Sequence, residues 1–171
     1  MTRHALPHAF YAAARLDAPI DLVFGAHADA HAFLRWWSPD PVHILSGAVD
    51  VGDTLHYRIG PAGQRASYVI LDYTSMEHAD HIQFRSAFAN AQGSPVRSRT
   101  APSWPRHVLQ RFDFVRDGDE ATVVTVRAEA ADASADAQTA FRQARSAMEE
   151  SVANAYRRLE AHLPPSASVD S

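Results

Sequence analysis

The chain has 171 residues, a formal net charge of -4, a pI near 6.2 and no cysteine. That length suits one domain with its own core. The missing thiols exclude disulfides, thiolate zinc sites and a cysteine nucleophile, and the acidic balance gives no bulk attraction to nucleic acid.

All 16 residues counted as Lys+Arg are arginine, which removes Schiff-base and P-loop lysine chemistry. With the heavy alanine usage, this reads as GC-rich codon bias before it reads as function. The opening MTRHALPHAF lacks the long apolar stretch of a signal peptide. No run approaches the length of a membrane span. The expectation is a cytoplasmic protein with no membrane and no nucleic-acid partner.

In chain order, HAFYAAARLDAP (8–19) reads as a strand that ends at a turn. A short helix follows from Pro19, with Asp21 near the positive end of its dipole. Leu22, Val23 and Ala26 share a face. DAHAFLRWWSP (29–39) is a second short helix, N-capped by Asp29 and stopped by Pro39. Phe33, Leu34 and Trp37 form its apolar stripe. This spacing puts Trp37 in the core. Trp36, about 100° away, lies against the next strand or at a cavity rim.

From residue 41 the period changes to two. TLHYRIG (54–60) sets Leu55, Tyr57 and Ile59 against Thr54, His56 and Arg58, and PAGQ turns it into a hairpin with RASYVILDY (65–73). That second strand is apolar on both faces. Either Tyr68, Ile70 and Asp72 or Val69, Leu71 and Tyr73 point inward. HIQFRSAF (81–88) puts Ile82, Phe84, Ser86 and Phe88 on one face. HVLQRFDFV (107–115) contributes Val108, Gln110, Phe112 and Phe114, and a RDGDE turn leads to ATVVTVRAE (121–129). Residues 91–106, with three prolines, three arginines and Trp104, fit no element. They read as a flap or a long loop. From Ser134 to Leu163 one long helix carries the stripe Phe141, Ala144, Met148, Ser151 or Val152, Ala155, Leu159 and Leu163, and the rest is a frayed tail.

Three segments carry a resemblance. RLDAPIDLVFGAHADAHAFLRWWSP, VDVGDTLHYRIGPAGQ and RSAMEESVANAYRRLEAHL resemble the opening motif, the next hairpin and the terminal helix of the Hsp90-ATPase-activator-homologue (AHSA1-like) family, in the START/Bet v 1-like helix-grip superfamily (SRPBCC). The likeness runs over roughly 8–163. It implies an α+β helix-grip fold, with a curved antiparallel sheet of about six to seven strands around a long C-terminal helix and two short helices after the first strand. Residues 1–165 would form one domain and 166–171 a disordered tail. Ser38 departs from the commoner glycine, and 91–106 is longer than the usual connection.

The resemblance also implies a cavity between sheet and helix. The expected function is binding of a small, largely apolar or aromatic molecule. A polyketide-cyclase-like enzyme, or a chaperone or other protein-interaction module using the outer surface, are the alternatives. Candidate ligand contacts are Trp37, Tyr57, Tyr68, Phe84, Phe88, Trp104, Phe112, Phe141 and Met148. Tyr57, Tyr68, Asp72 and Gln110 are the plausible inward polar groups. No catalytic residue, cofactor or metal site is expected. His27 and His31 stand four apart but lack the H-E-x-x-H glutamate, EHADH (77–81) reads as a solvated turn, and no G-x-S-x-G is present. A homodimer through the sheet edge or the short helices stays open.

Overall fold

The computed structural model describes residues 9–61 and 65–164. The expected tail, 166–171, lies outside them. The order is β1 (Phe10–Leu16), α1 (Ile20–Ala28), α2 (Ala30–Trp37), β2 (Val42–Ser46), β3 (Thr54–Ile59), β4 (Ser67–Glu77), β5 (His81–Ala89), β6 (His107–Arg116), β7 (Thr122–Ala131), α3 (Ala135–Gln143) and α4 (Arg145–His162). The seven strands form one curved antiparallel sheet, ordered β1-β7-β6-β5-β4-β3-β2. Register shifts at Ile44/Ser46 and Tyr73/Ser75 add local bending. Among the described residues no helix is long and apolar enough to cross a membrane.

Local chemistry places the short helices. The Asp29 carboxylate accepts from the Ala32 amide at 2.8 Å and caps α2. Ser134 does the same for α3, accepting from Ala137. At the other end of α2, Arg158 of α4 donates from Nε to the Trp36 carbonyl (2.8 Å) and from Nη2 to the Trp37 carbonyl (3.1 Å). These carbonyls have no partner within the helix, so the cation both satisfies them and meets the negative dipole end. Between β2 and β3, Gly47 has φ +88°, and a Cβ there would stand 1.9 Å from the Thr54 carbonyl oxygen. Only glycine fits that turn.

The core differs from the sequence reading in three places. The buried tryptophan is Trp36, 1% exposed, whereas Trp37 is half-buried. Trp36 donates from its indole to the Ala26 carbonyl at 3.0 Å and packs on His27, Phe33 and Tyr156. On α1 the inward face is Ile20, Val23, Phe24 and His27, while Leu22 points to solvent. The terminal helix is broken at Ala144. α3 packs on β7, and α4 packs on α2 and β1. Neither proline nor glycine marks the break, and the sequence stripe from Phe141 to Met148 spans it.

His27 is the buried polar centre of this core. Its Nδ1–H donates to the Val23 carbonyl (2.7 Å), so Nε2 accepts from the Tyr156 hydroxyl (3.1 Å). The rings of Trp36, Phe112 and Phe114 surround it at 4.7–5.0 Å. Burial without a counter-charge drives its pKa down to about 3. His31 lies on the exposed face of α2, so the two histidines of the i, i+4 pair do not share a site.

Candidate ligand-binding cavity

The concave face of the sheet and the α3–α4 pair flank a half-open cavity of two lobes, about 300 and 170 Å³. Five side chains line both: Trp37, Tyr57, Trp104, Gln110 and Met148. They form a waist between the lobes. The larger lobe continues between β1, β7 and α4, past Phe10, Val126, Ala128 and Val152. The smaller one reaches along β4–β6 to Val69, Leu71, Phe88 and Val108, and to Phe141 of α3.

Strand alternation aims these residues. Leu55, Tyr57 and Ile59 take the concave face of β3, and Tyr57 stands opposite Val69 in the ladder. β4 therefore turns Val69, Leu71 and Tyr73 inward. This resolves the ambiguous parity and corrects two candidates. Tyr68 lies on the other face, packed with Ile70, Ala87 and Ala89 and facing His56 at 6.0 Å. Asp72 is there too, accepting from the Thr54 hydroxyl. Neither lines the cavity.

The remaining candidates divide. Trp37, Tyr57, Trp104 and Met148 lie at the waist, Phe141 lines the smaller lobe, and Phe88, 37% exposed, stands at its rim. Phe84 and Phe112 face inward but are sealed in the core beneath the lumen, packed on each other and on Phe33. They shape the floor and touch no open space. Trp104 is brought in by the 90–106 connection, which is built of turns and a bridge from Ala89 to Pro95. Its ring lies 5.6 Å from Phe141. Trp37 stacks on Phe33 at 5.4 Å and meets Phe112 edge-on. The contributions of β1 and β7, Phe10, Val126 and Ala128, were absent from the candidates. Alternation in TVVTVRAEA carried that signal, since the inward set follows from the β6 partner.

The lining has a chemical character. Both lobes are walled by apolar, aromatic, hydroxyl and amide groups, and none of the lining residues carries a charge. Tyr57 is 4% exposed, and its hydroxyl has no hydrogen-bond partner among the described residues. Burial raises its pKa well above the ordinary phenol value, and that of Tyr73 rises through burial and the neighbouring Tyr57. Both stay protonated donors at any physiological pH. The Tyr73 hydroxyl and the Gln110 Oε1 are buried with no hydrogen-bond partner among the described residues. Outside, a wider groove of about 550 Å³ runs between α2 and β2 past His31, Arg35, Asp40 and His43. It is a surface cleft, and its Arg158 is already committed to the α2 carbonyls. At the β4–β5 turn, Glu77, Asp80 and His81 gather. Both ring nitrogens of His81 are engaged there, one by Asp80 (2.7 Å) and one by the Ser75 hydroxyl (2.6 Å).

Comparison with known proteins agrees with this architecture. The family profile described as activator of Hsp90 ATPase homolog 1-like protein matches residues 17–164. No curated protein sequence matches the chain. Among solved structures, a protein from Mycobacterium smegmatis superposes with a TM-score of 0.73 at 18% identity, over 95% of each chain. A protein from Arthrobacter aurescens gives 0.72 at 23% identity, over 90% of this chain and 84% of its own. DynU16, a protein in the dynemicin biosynthetic locus, gives 0.60 at 18% identity, over 93% of this chain and 49% of its own. At these identities the likeness establishes the fold.

Proposed function

We propose that this chain, which belongs to the activator of Hsp90 ATPase homolog 1-like family, binds a small, largely apolar or aromatic molecule in the cavity between the curved sheet and the C-terminal helices. The helix-grip fold is compatible with ligand binding and with polyketide-cyclase-like roles. The observation that favours binding is the lining: apolar and aromatic walls, two tryptophans at the waist and a few inward polar groups, as small-molecule sites are built. Acid–base catalysis needs a group that exchanges a proton near neutral pH. The inward hydroxyl of Tyr57 is instead held protonated by its burial, which supports a donor that orients a ligand over a base that turns one over.

The test is direct. The purified protein is analysed by native mass spectrometry and by solvent extraction, then titrated with 1-aminoanthracene, an uncharged dye that brightens in apolar sites. A copurifying apolar compound, or saturable dye binding weakened by Trp37→Ala, is the expected result. An empty protein that leaves the dye dark would overturn the reading and move attention to the outer surface and a protein partner.

A further inference from the structure

Two hydrogen-bonding side chains without partners among the described residues stand near the middle of the cavity rather than at one end. Tyr57 and Gln110 line both lobes. Tyr73, farther along the concave face, also buries a hydroxyl without a partner among the described residues, but it lines neither lobe. A buried polar atom left unpaired is costly, so the Gln110 amide oxygen is a standing demand for a partner, while the Tyr57 hydroxyl is a free donor facing the lumen. Of the other hydroxyls in the lining, Ser151 sits on the exposed side of the larger lobe, and two are already occupied. The Ser38 hydroxyl donates to the Asp40 carbonyl (3.0 Å) and the Ser86 hydroxyl to the Val108 carbonyl (3.4 Å).

Size adds a second constraint. An engineered apolar cavity of about 150 Å³ holds one benzene. By that yardstick the 170 Å³ lobe accepts one six-membered ring and the 300 Å³ lobe about two. Charge adds a third. Without a cation or anion in the lining, an ionised ligand would lose its hydration with nothing to replace it.

We infer that the cavity selects an uncharged ligand with two unequal apolar parts, joined at a hydrogen-bond-accepting group that sits at the waist between Tyr57 and Gln110. This rests on the binding function proposed above and specifies the chemistry of the ligand. Tyr57 donates its hydroxyl proton to the acceptor. Gln110 supplies an amide whose donor and acceptor ends exchange by a half-turn of the terminal torsion, so it also accommodates a hydroxyl or N–H beside that acceptor. Trp37, Trp104 and Met148 close around the junction.

The experiment displaces 1-aminoanthracene with three related probes: benzophenone, with a carbonyl between its rings, diphenylmethane, with a methylene there, and 4-benzoylbenzoate, with a terminal charge. Each is measured on the parent protein and on Tyr57→Phe and Gln110→Met. We expect each substitution to weaken benzophenone roughly three- to tenfold, the range of one hydrogen bond, and to leave diphenylmethane within twofold. 4-Benzoylbenzoate should bind at least tenfold more weakly than benzophenone. If both substitutions alter the two uncharged probes equally, or if the carboxylate competes as well as the ketone, the inference is overturned while the cavity remains a binding site. If the dye itself does not bind, the binding function fails with it. Irradiating bound benzophenone and mapping the crosslink separates the sites, since attachment at Met148 is expected and attachment only outside the cavity counts against the assignment.

Discussion

Acid should destabilise this protein through one residue, His27. The imidazole is sealed among Trp36, Phe112 and Phe114, with both nitrogens occupied in the neutral form. Its folded pKa is lowered to about 3, against about 6.5 in an unfolded chain. Between those values the unfolded state binds a proton that the native state refuses, so stability falls as pH falls from 6.5 toward 3. At pH 5 the difference amounts to about 2 kcal/mol relative to pH 7.5, and this holds for any native pKa well below 5. The comparison is His27→Leu with Tyr156→Phe, which removes the titrating group and leaves no orphaned hydroxyl. Val23 keeps its helical hydrogen bond. Urea unfolding of both proteins at the two pH values isolates the effect, because every other titrating group is common to them. The parent should lose about 2 kcal/mol more than the variant on going from pH 7.5 to 5. Equal losses would mean that the native imidazole takes up a proton at pH 5, and the sealed, neutral His27 would have to be abandoned.

Other outcomes are equally specific. Arg158→Met, which strips the two carbonyl caps from α2, should lower unfolding stability by about 2 kcal/mol, the scale of charged hydrogen bonds, and disturb Trp37 fluorescence. A loss below a few tenths would show the caps to be replaceable by water. Gly47→Ala meets the Thr54 carbonyl at a positive φ and should cost more than about 2 kcal/mol, since the backbone must move; a fully stable variant refutes that contact. Tyr68→Phe, on the far side of the sheet, should leave 1-aminoanthracene affinity within twofold, and a large change would place Tyr68 back among the ligand contacts. Deleting residues 92–103 tests the flap: faster dye exchange is expected, whereas unchanged affinity and exchange would reduce this segment to a plain connection.

Much of this architecture is written locally. Asp29 and Pro39 delimit α2 because capping and the missing proline amide act within a few residues. The alternation of Leu55, Tyr57 and Ile59 sets the inward face of β3 because a strand buried on one side has only one compatible phase. What required the tertiary structure were the choices local signals leave degenerate. Trp36 and Trp37 stand three and four residues after Phe33, on either side of the 3.6-residue turn, so helical spacing suits both. The packed His27 and Tyr156 decide for Trp36. β4 is apolar on both faces because Ile70 and Tyr68 build a small second cluster with Ala87 and Ala89, and only pairing with β3 and β5 reveals that Leu71 and Tyr73 face the core. The break at Ala144 has no residue of its own to announce it, since it arises where α3 and α4 pack on different partners. The waist of the cavity joins Trp37, Tyr57, Trp104, Gln110 and Met148 from five separate parts of the chain. No sequence period links them; their meeting is a property of the closed fold, because the curved sheet and the helices across it bring distant segments to one volume.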